Sequence, residues 1–575
     1  MERKYILLLG EELTSSEWLE PVLHAQGLRS ELHSRHARLF VSAATPLLRL
    51  PSGGVLIGRI FDRQGNAVVD ASGFNGTADE CEHRLLSDTW GEYLAVHMAD
   101  NDEGHMVRLL RDPSGAVPCV HRFEGGSGFA TSDIVLATHL GIHRKEVDWQ
   151  AMAHGLAFPY LRTGRTTLKH VHELLPGSTL VCHGDEVSAN AAWSPWNLVS
   201  KGVRHVDRDA AIADVRTAVS AAVAALSASD RRLVVELSGG LDSSIVAACL
   251  AGDAARAIFC TLVMPVTGTD ERPYARLVTD ALGCSLATQK VGFENVRFDF
   301  PLSPSAVVPA MGILQNAVND AWEEAGTGCD AESYLSGGGG DTVFCYLKTA
   351  APAADAFREN GPVAGLTAVR DLSALHQCTF WKAMRLTLRK LHNPPSGTWK
   401  KDSRFLSPAH TPDTPDHHPW LDMPAGALPG DREKIQDLVG TQLFRDTAPR
   451  SAGRSMHFPL LTQPVMEACL RVPTWMWIDG GRNRAVARDA FADRLPRGIL
   501  ERRSKGSYTG YMAAVYTRNK HGMRRFLGEG QLAAHDLLDC RALADFLDRE
   551  LAPRDLSFLR IFDLCAAENW ARQQA

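Results

Sequence analysis

Leu233-Val234-Val235-Glu236-Leu237-Ser238-Gly239-Gly240-Leu241-Asp242-Ser243-Ser244 decides how the rest of this chain is read. Leu233 to Leu237 is a short aliphatic, β-branched run suited to a buried parallel strand, and two glycines follow almost at once. The pattern then turns helical through Ile245-Val246-Ala247-Ala248-Cys249-Leu250. Strand, small-residue turn and helix, in that order, gather backbone N–H groups and the positive helix end at one point, where an anion the size of a phosphate fits.

Gly239 and Gly240 let the backbone approach a ligand with no Cβ in the way, and Ser238, Ser243 and Ser244 add hydroxyl donors. A carboxylate among such groups repels phosphate unless a divalent cation stands between them, so Asp242 reads as a Mg²⁺ ligand. No lysine follows the glycines, which excludes the GxxxxGK[ST] phosphate loop. The stretch resembles the SGGxDS loop of ATP-pyrophosphatases, enzymes that split ATP between its α and β phosphates to make acyl- or imidoyl-adenylates. That resemblance implies ATP and Mg²⁺, with Leu237, Ser238, Gly239, Gly240, Asp242, Ser243 and Ser244 around the nucleotide.

At 575 residues the chain is too long for one core. Apolar content of 45% and charged content of 22% are ordinary for a globular protein, and a net charge of −6 gives no electrostatic case for general nucleic-acid or membrane binding. The apolar stretch near the N-terminus is interrupted by Glu11 and Glu12, too early for a signal peptide, and the run from Ala257 to Val266 is too short to span a membrane. A cytoplasmic protein is expected. The 12 cysteines form no CxxC pair and sit in apolar stretches, as reduced core residues do.

Residues 1–200 alternate in short segments such as Gly54-Val55-Leu56-Ile57-Gly58-Arg59-Ile60-Phe61, a strand-rich pattern. Asp88-Thr89-Trp90-Gly91-Glu92-Tyr93, Arg111-Asp112-Pro113-Ser114-Gly115-Ala116-Val117-Pro118, Phe129-Ala130-Thr131-Ser132-Asp133 and Leu174-Leu175-Pro176-Gly177-Ser178 follow in order. They resemble elements of the N-terminal-nucleophile glutaminase domain of asparagine synthetases, which implies an α-β-β-α sandwich. Such a glutaminase needs a cysteine directly after the initiator methionine, with its own α-amino group as base. Position 2 is Glu2 and the first cysteine is Cys81. A scaffold without glutamine hydrolysis is expected.

Trp193-Ser194-Pro195-Trp196 and the polar stretch to Asp209 read as a linker into a second unit, residues 207–575. Ile212, Val215, Val219, Val223 and Leu226 have helical spacing. After the glycine loop, Ala257 to Val263 reads as a second strand and Asp270-Glu271 as the start of a helix through Ala275, Val278 and Leu282. This alternation predicts an α/β fold with a doubly wound parallel sheet and helical additions, and adenine is expected against the strand ends at Leu237 and Val263. Ser333-Tyr334-Leu335 leads into Ser336-Gly337-Gly338-Gly339-Gly340-Asp341, a second close-approach loop whose Asp341 supplies the other carboxylate for Mg²⁺. Ser336, Gly337 and Gly338 are expected at the nucleotide. Residues 393–432, rich in Pro, Asp and His, read as an insertion with little regular structure; its His417 and His418 are expected in solvent and Trp420 as a lid or peptide contact.

The loop Ser336 to Asp341 is similar to the SGExAD loop of asparagine synthetases, with Gly338 where that family has glutamate and β-lactam synthetases have tyrosine. Lys505, in Arg502-Arg503-Ser504-Lys505-Gly506, matches the lysine that in those enzymes contacts the adenylate and departing pyrophosphate; such a charge stabilises the transition state. Arg484 and Arg488 are further candidates for phosphate or carboxylate contacts. SGGGGD, the HPWL element at His418 to Leu421, PLLxQP at Pro459 to Pro464 and RxSKG at Arg502 to Gly506 resemble lasso-peptide cyclases. The implied reaction adenylates an Asp or Glu side chain of a precursor peptide, whose N-terminal amine then attacks to close a macrolactam. The implied partners are that peptide and a leader peptidase or leader-recognition protein. A small-molecule amide ligase of β-lactam-synthetase or asparagine-synthetase type, and a non-catalytic nucleotide- or peptide-binding scaffold, remain the competing readings. The glutamate at position 2 leads to a direct expectation: incubation with glutamine yields no glutamate above the buffer rate, and enzyme-dependent glutamate release contradicts the scaffold reading.

Overall fold

Period-two alternation with both faces apolar lets one strand feed two cores, and the first half of the chain is built this way. In Tyr5–Leu9 (β1), Leu7 and Leu9 face one core while Ile6 and Leu8 face another. The computed structural model describes residues 4–51, 53–101, 104–310, 312–394, 398–443, 445, 454–503, 506, 508–552 and 554–574. The remaining early strands are Leu28–His33 (β2), Ala37–Ser42 (β3), Leu47–Arg49 (β4), Val55–Asp62 (β5), Thr89–Asn101 (β6), Gly104–Arg111 (β7), Val120–Glu124 (β8), Ser127–Thr131 (β9), His172–Glu173 (β10), Ser178–His183 (β11) and Glu186–Ala191 (β12). They form two six-stranded antiparallel sheets, ordered β10-β8-β9-β1-β3-β2 and β12-β11-β7-β6-β5-β4. Leu7, Leu39 and Val41 from one meet Ile57, Val96 and Leu109 from the other. Helix Ala78–Ser87 covers the second sheet with Cys81 and Leu85, and helices Leu19–Ala25 and Ile134–His139 cover the first. This is the expected α-β-β-α sandwich.

Two sequence elements singled out for resemblance turn out to brace it. The Arg111 guanidinium, 1% exposed, donates to Glu173 (2.7 Å), the Leu174 carbonyl (2.6 Å) and the Gly115 carbonyl (2.8 Å), while Gly177 N–H donates back to the Arg111 carbonyl (3.1 Å). Asp112 is fully buried, accepts from the Ser114 and Tyr93 N–H groups, and has its carboxyl pushed up to about 6 by desolvation. Its partners hold it in place, and the cost of burial falls on its charge.

The second half builds a five-stranded parallel sheet from Leu233–Glu236 (β13), Ala257–Val263 (β14), Leu286–Lys290 (β15), Ser333–Leu335 (β16) and Ser455–His457 (β17), ordered β15-β14-β13-β16-β17. Crossovers through helices Leu241–Cys249 and Arg272–Ala281 carry the chain outward from β13 to β15. Helix Ile313–Gly328 then returns it to the other side of β13. Strand order therefore reverses between β13 and β16, and the crevice at the carboxyl ends of those two strands is where such sheets bind ligands. Helix Arg208–Ser227 buries Val215, Val219, Val223 and Leu226, as its spacing predicts, and packs on helices Gln463–Arg471 and Ala485–Ala490. Among the described residues it is the only helix long and apolar enough to cross a membrane by length and composition.

Three expectations are corrected. The stretch from Trp193 is no loose linker: Trp193 and Trp196 are 7% and 8% exposed, with Trp193 Nε1 donating to Glu467 (3.1 Å) and Trp196 Nε1 to the Trp420 carbonyl (2.8 Å). Trp420 is 1% exposed and packs edge-on against Trp193, so it is a plug between segments and not a surface lid. His418 is likewise buried; its ring accepts from the Trp420 N–H (3.0 Å) and its pKa is lowered to about 4 by desolvation, whereas His417 pairs with Asp422 at the surface. The described residues of 393–432 hold one short 3-10 turn, Pro419–Leu421, between the helices ending at His392 and starting at Pro429. All 12 cysteines are free. Trp420→Ala should destabilise the fold by about 3–5 kcal/mol through the cavity it leaves; an unchanged denaturant midpoint would contradict the plug role.

Candidate active site at the switch point

The two glycine loops leave β13 and β16 side by side and interlock. A Cβ on Gly337 would lie 2.6 Å from the Ser243 nitrogen, and one on Gly340 would lie 2.5 Å from both Cβ and Cγ of Asp242. Only glycine permits this approach. Gly339 (φ 85°) and Gly239 (φ 66°) also adopt left-handed backbone, and Gly239 is pressed on the backbone of Tyr274 and Ala275. The result brings Asp242 and Asp341 together. Arg484 Nη1 donates to Asp242 Oδ1 (2.9 Å) and Oδ2 (3.0 Å) and to Asp341 Oδ1 (2.6 Å). One nitrogen thus touches both carboxylates.

That nitrogen marks a point where a cation satisfies two acids. The donor set fits Mg²⁺, which binds through one or two carboxylates and takes its other ligands from water and phosphate oxygens. Among the described residues no group of three His, Cys, Asp or Glu side chains gathers around a metal position. Arg484, expected at a phosphate or carboxylate, is at the carboxylates. It is 9% exposed, holds left-handed backbone (φ 51°) at the start of helix Ala485–Ala490, and lies 5.1 Å from the Tyr346 ring centre.

Beside the acids opens a cleft of about 620 Å³, within the range of small-molecule sites. Leu237, Ser238, Gly240, Asp242 and Ser243 line it from the first loop, and Ser336, Gly337 and Gly338 from the second. The helix Leu241–Cys249 presents its N-terminus there with no side chain capping it. Three expected contacts differ. Ser244 is fully buried behind the loop, Gly239 turns its carbonyl to Arg502 (2.9 Å), and the β14 wall is made by Thr261, Leu262 and Met264 in place of Val263. Asp341 belongs to the rim on the Tyr346 side and does not line the cleft. Arg488, expected at a phosphate or carboxylate, turns to the backbone: it is 5% exposed, its guanidinium donates to the carbonyls of Asn483 (2.9 Å) and Leu500 (2.5 Å), and desolvation lowers its pKa to about 10.

Lys505 and Glu2 lie outside the described residues. The neighbours of Lys505 are anchored: Arg502 pairs with Glu271 and stacks 3.7 Å over the Tyr274 ring, and Gly506 N–H donates to Glu271 Oε1 (2.7 Å). Glu271 is 5% exposed, and Arg502 also donates to the Gly239 carbonyl (2.9 Å), so this buried pair ties Arg502 to the first glycine loop. Sequence reading treated Glu271 only as a helix opener. Its partner is 231 residues away, and no local signal connects them.

A family model described as asparagine synthase matches residues 214–572, well over half of the chain. The chain belongs to the asparagine synthase family. Its members are ATP-dependent amide-forming ligases, generally using Mg²⁺. Among solved structures, glutamine phosphoribosylpyrophosphate amidotransferase from B. subtilis complexed with ADP and GMP is 11% identical, covering 58% of this chain and 90% of its own, with a TM-score of 0.23. The allosteric regulatory enzyme of purine biosynthesis is also 11% identical, covering 50% of this chain and 74% of its own, with a TM-score of 0.20. No curated protein matches the chain. For this asparagine synthase family member the interlock of loops can be tested directly. Gly340→Ala should lower ATP-dependent activity by about a hundredfold or more, the scale of losing one transition-state contact, while Gly252→Ala, with open space around it, changes nothing. Equal behaviour of the two variants in an AMP-release assay would contradict the interlock.

Proposed function

We propose that this protein activates a side-chain carboxylate of a precursor peptide as its acyl-adenylate and joins it to the peptide's N-terminal amine, closing a macrolactam with release of AMP and pyrophosphate. The observation that carries the reading is Gly338: the second loop lines the cleft with a residue that has no side chain, at the position where amide ligases of this family that act on small substrates place a glutamate or tyrosine. That vacated volume suits a bulky peptide. Its resemblance to lasso-peptide cyclases in the SGGGGD, HPWL, PLLxQP and RxSKG elements supports the same substrate class.

The residues divide the work as follows. Backbone N–H groups of the first glycine loop and the helix N-terminus receive phosphate oxygens. Asp242 and Asp341 hold Mg²⁺, which when bound supplies charge neutralisation along the phosphates. Arg484 restrains both carboxylates before nucleotide arrives, so they do not drift apart under mutual repulsion. Lys505, matching the lysine of the family's RxSKG element, offsets charge developing on pyrophosphate. Tethering amine and carboxyl in one bound peptide replaces delivery of free ammonia by proximity. A leader peptidase or leader-recognition protein supplies the trimmed peptide.

Incubation with ATP, Mg²⁺ and the cleaved product of a neighbouring short open reading frame should give a peptide lighter by one water, together with AMP and pyrophosphate. Peptide-independent AMP formation with a small carboxylic acid, or nucleotide binding with no turnover, would overturn the proposal in favour of a small-molecule ligase or a binding scaffold.

A further inference from the structure

The cleft continues past the nucleotide loops. Tyr160, Ala310, Gly312 and Asp563 line it and also line a second chamber of about 180 Å³, so the two cavities share a neck. Both halves of the chain wall this chamber: Arg162, Arg165 and Glu173 from the first, Arg560 from helix Leu559–Gln574. Most of these charges are committed. Arg162 pairs with Glu173, and Arg165 with Asp148 at 2.8 Å. Arg560, 1% exposed, donates Nη2 to the carbonyls of Leu156 (2.5 Å) and Asp402 (3.2 Å), while its Nε and Nη1 have no hydrogen-bond partner.

Asp563 lies on the next turn, 3.9 Å from Arg560 Nη1, beyond hydrogen-bond reach. Four carboxylates line the cleft: Glu236, Asp242, Glu271 and Asp563. Asp242 is bound to Arg484, Glu271 to Arg502 and the Gly506 N–H, and Glu236 ends the strand that carries the first loop. Asp563 is the carboxylate at the neck, and none of the described residues donates a hydrogen bond to it. Tyr160, beside it, holds left-handed backbone (φ 66°), an uncommon conformation for a large side chain.

The geometry points to Asp563 as the group that receives the attacking amine as its ammonium at the neck and takes its proton, with the second chamber seating the residue that bears that amine. This rests on the adenylation reading above and adds the base that Gly338 leaves missing from the second loop. An ammonium has no lone pair, so the step begins with proton transfer from R–NH₃⁺ to the Asp563 carboxylate. The freed amine attacks the acyl carbon, the C–N bond forms, the C–O bond to AMP breaks with its electron pair leaving on AMP, and the nitrogen's second proton passes to water. Desolvation raises the Asp563 carboxyl to about 6, opposed by the Arg560 and Arg404 charges and aided by that of Asp402. The Tyr160 hydroxyl is pushed up to about 12 chiefly by the Asp563 charge and stays neutral. A carboxylate of that pKa is ionised at neutral pH and is a stronger base than an ordinary one.

Hydroxylamine, uncharged near neutral pH, intercepts an acyl-adenylate without a base. With the enzyme, ATP, Mg²⁺ and the same trimmed peptide, Asp563→Asn should keep hydroxamate formation within about threefold and slow ring closure by about a hundredfold or more, within the usual range for a lost general base. Asp563→Glu should recover part of the loss. Wild-type ring closure should fall as pH drops through about 6, where the carboxylate is protonated, and Asp563→Asn should lack that inflection. Parallel loss of hydroxamate and ring closure with an unchanged thermal transition, or undiminished ring closure, would overturn the role of Asp563. Absence of hydroxamate from the wild type would instead remove the adenylation reading, and this proposal with it.

Discussion

Two parallel strands, β13 and β16, lie next to each other while their crossovers run in opposite directions, and the rest of the molecule is arranged around the crevice this leaves. A helix cannot cover the sheet edge at that point from either side, so backbone ends and side chains of both loops meet there. The meeting is close enough to put a Gly340 Cβ inside the Asp242 side chain. Bringing two carboxylates together in a partly dry setting is unfavourable unless positive charge is shared between them. Arg484 provides it from a third element 143 residues beyond Asp341. Geometry and charge are thus set before any ligand arrives, which is the condition for electrostatic catalysis to work without reorganisation.

Loops whose chemistry is local were legible in the sequence. Strand, glycines and helix in LVVELSGGLDSS and SYLSGGGGD implied both turns, and placing them on one parallel sheet implied that the two acids meet. Contacts across long separations were not legible. Glu271 looks like any helix-opening acid until Arg502 is folded onto it, and Asp563 looks like a surface residue of a terminal helix until it and Tyr160 line the same cleft. The errors at 193–209 and 393–432 share one cause. Pro, His and Asp suggested solvent, but three tryptophans in these segments, Trp193, Trp196 and Trp420, share one buried contact, and aromatic burial outweighs local polarity. Val263 and Ser244 fail for a smaller reason: strand ends and first helical turns expose alternate residues, and a shift of one position exchanges cleft for core.

The contacts between the first half of the chain and the second are those of structural partners. Glu92, from the Gly-Glu-Tyr element, lies 3.2 Å from the buried Nδ1 of His457 at the end of β17. Glu467, on the helix after that strand, takes Arg63 (2.9 Å) as well as Trp193 from the first half, and Arg162 donates to the Gln442 carbonyl (3.2 Å). These are charged or polar groups paired across the interface, so truncating one partner of a buried pair leaves the other unsatisfied at a cost of roughly 1–3 kcal/mol.

The same interface explains why the cavity persists. Its wall contains Arg162 and Glu173, paired with each other, and Arg165, paired with Asp148, and its mouth contains a carboxylate with no hydrogen-bond donor among the described residues. Close packing stabilises and voids do not, so an open chamber joined to the cleft calls for an occupant, and a primary amine arriving on a peptide satisfies both the acid at the neck and the chemistry that the cleft needs next.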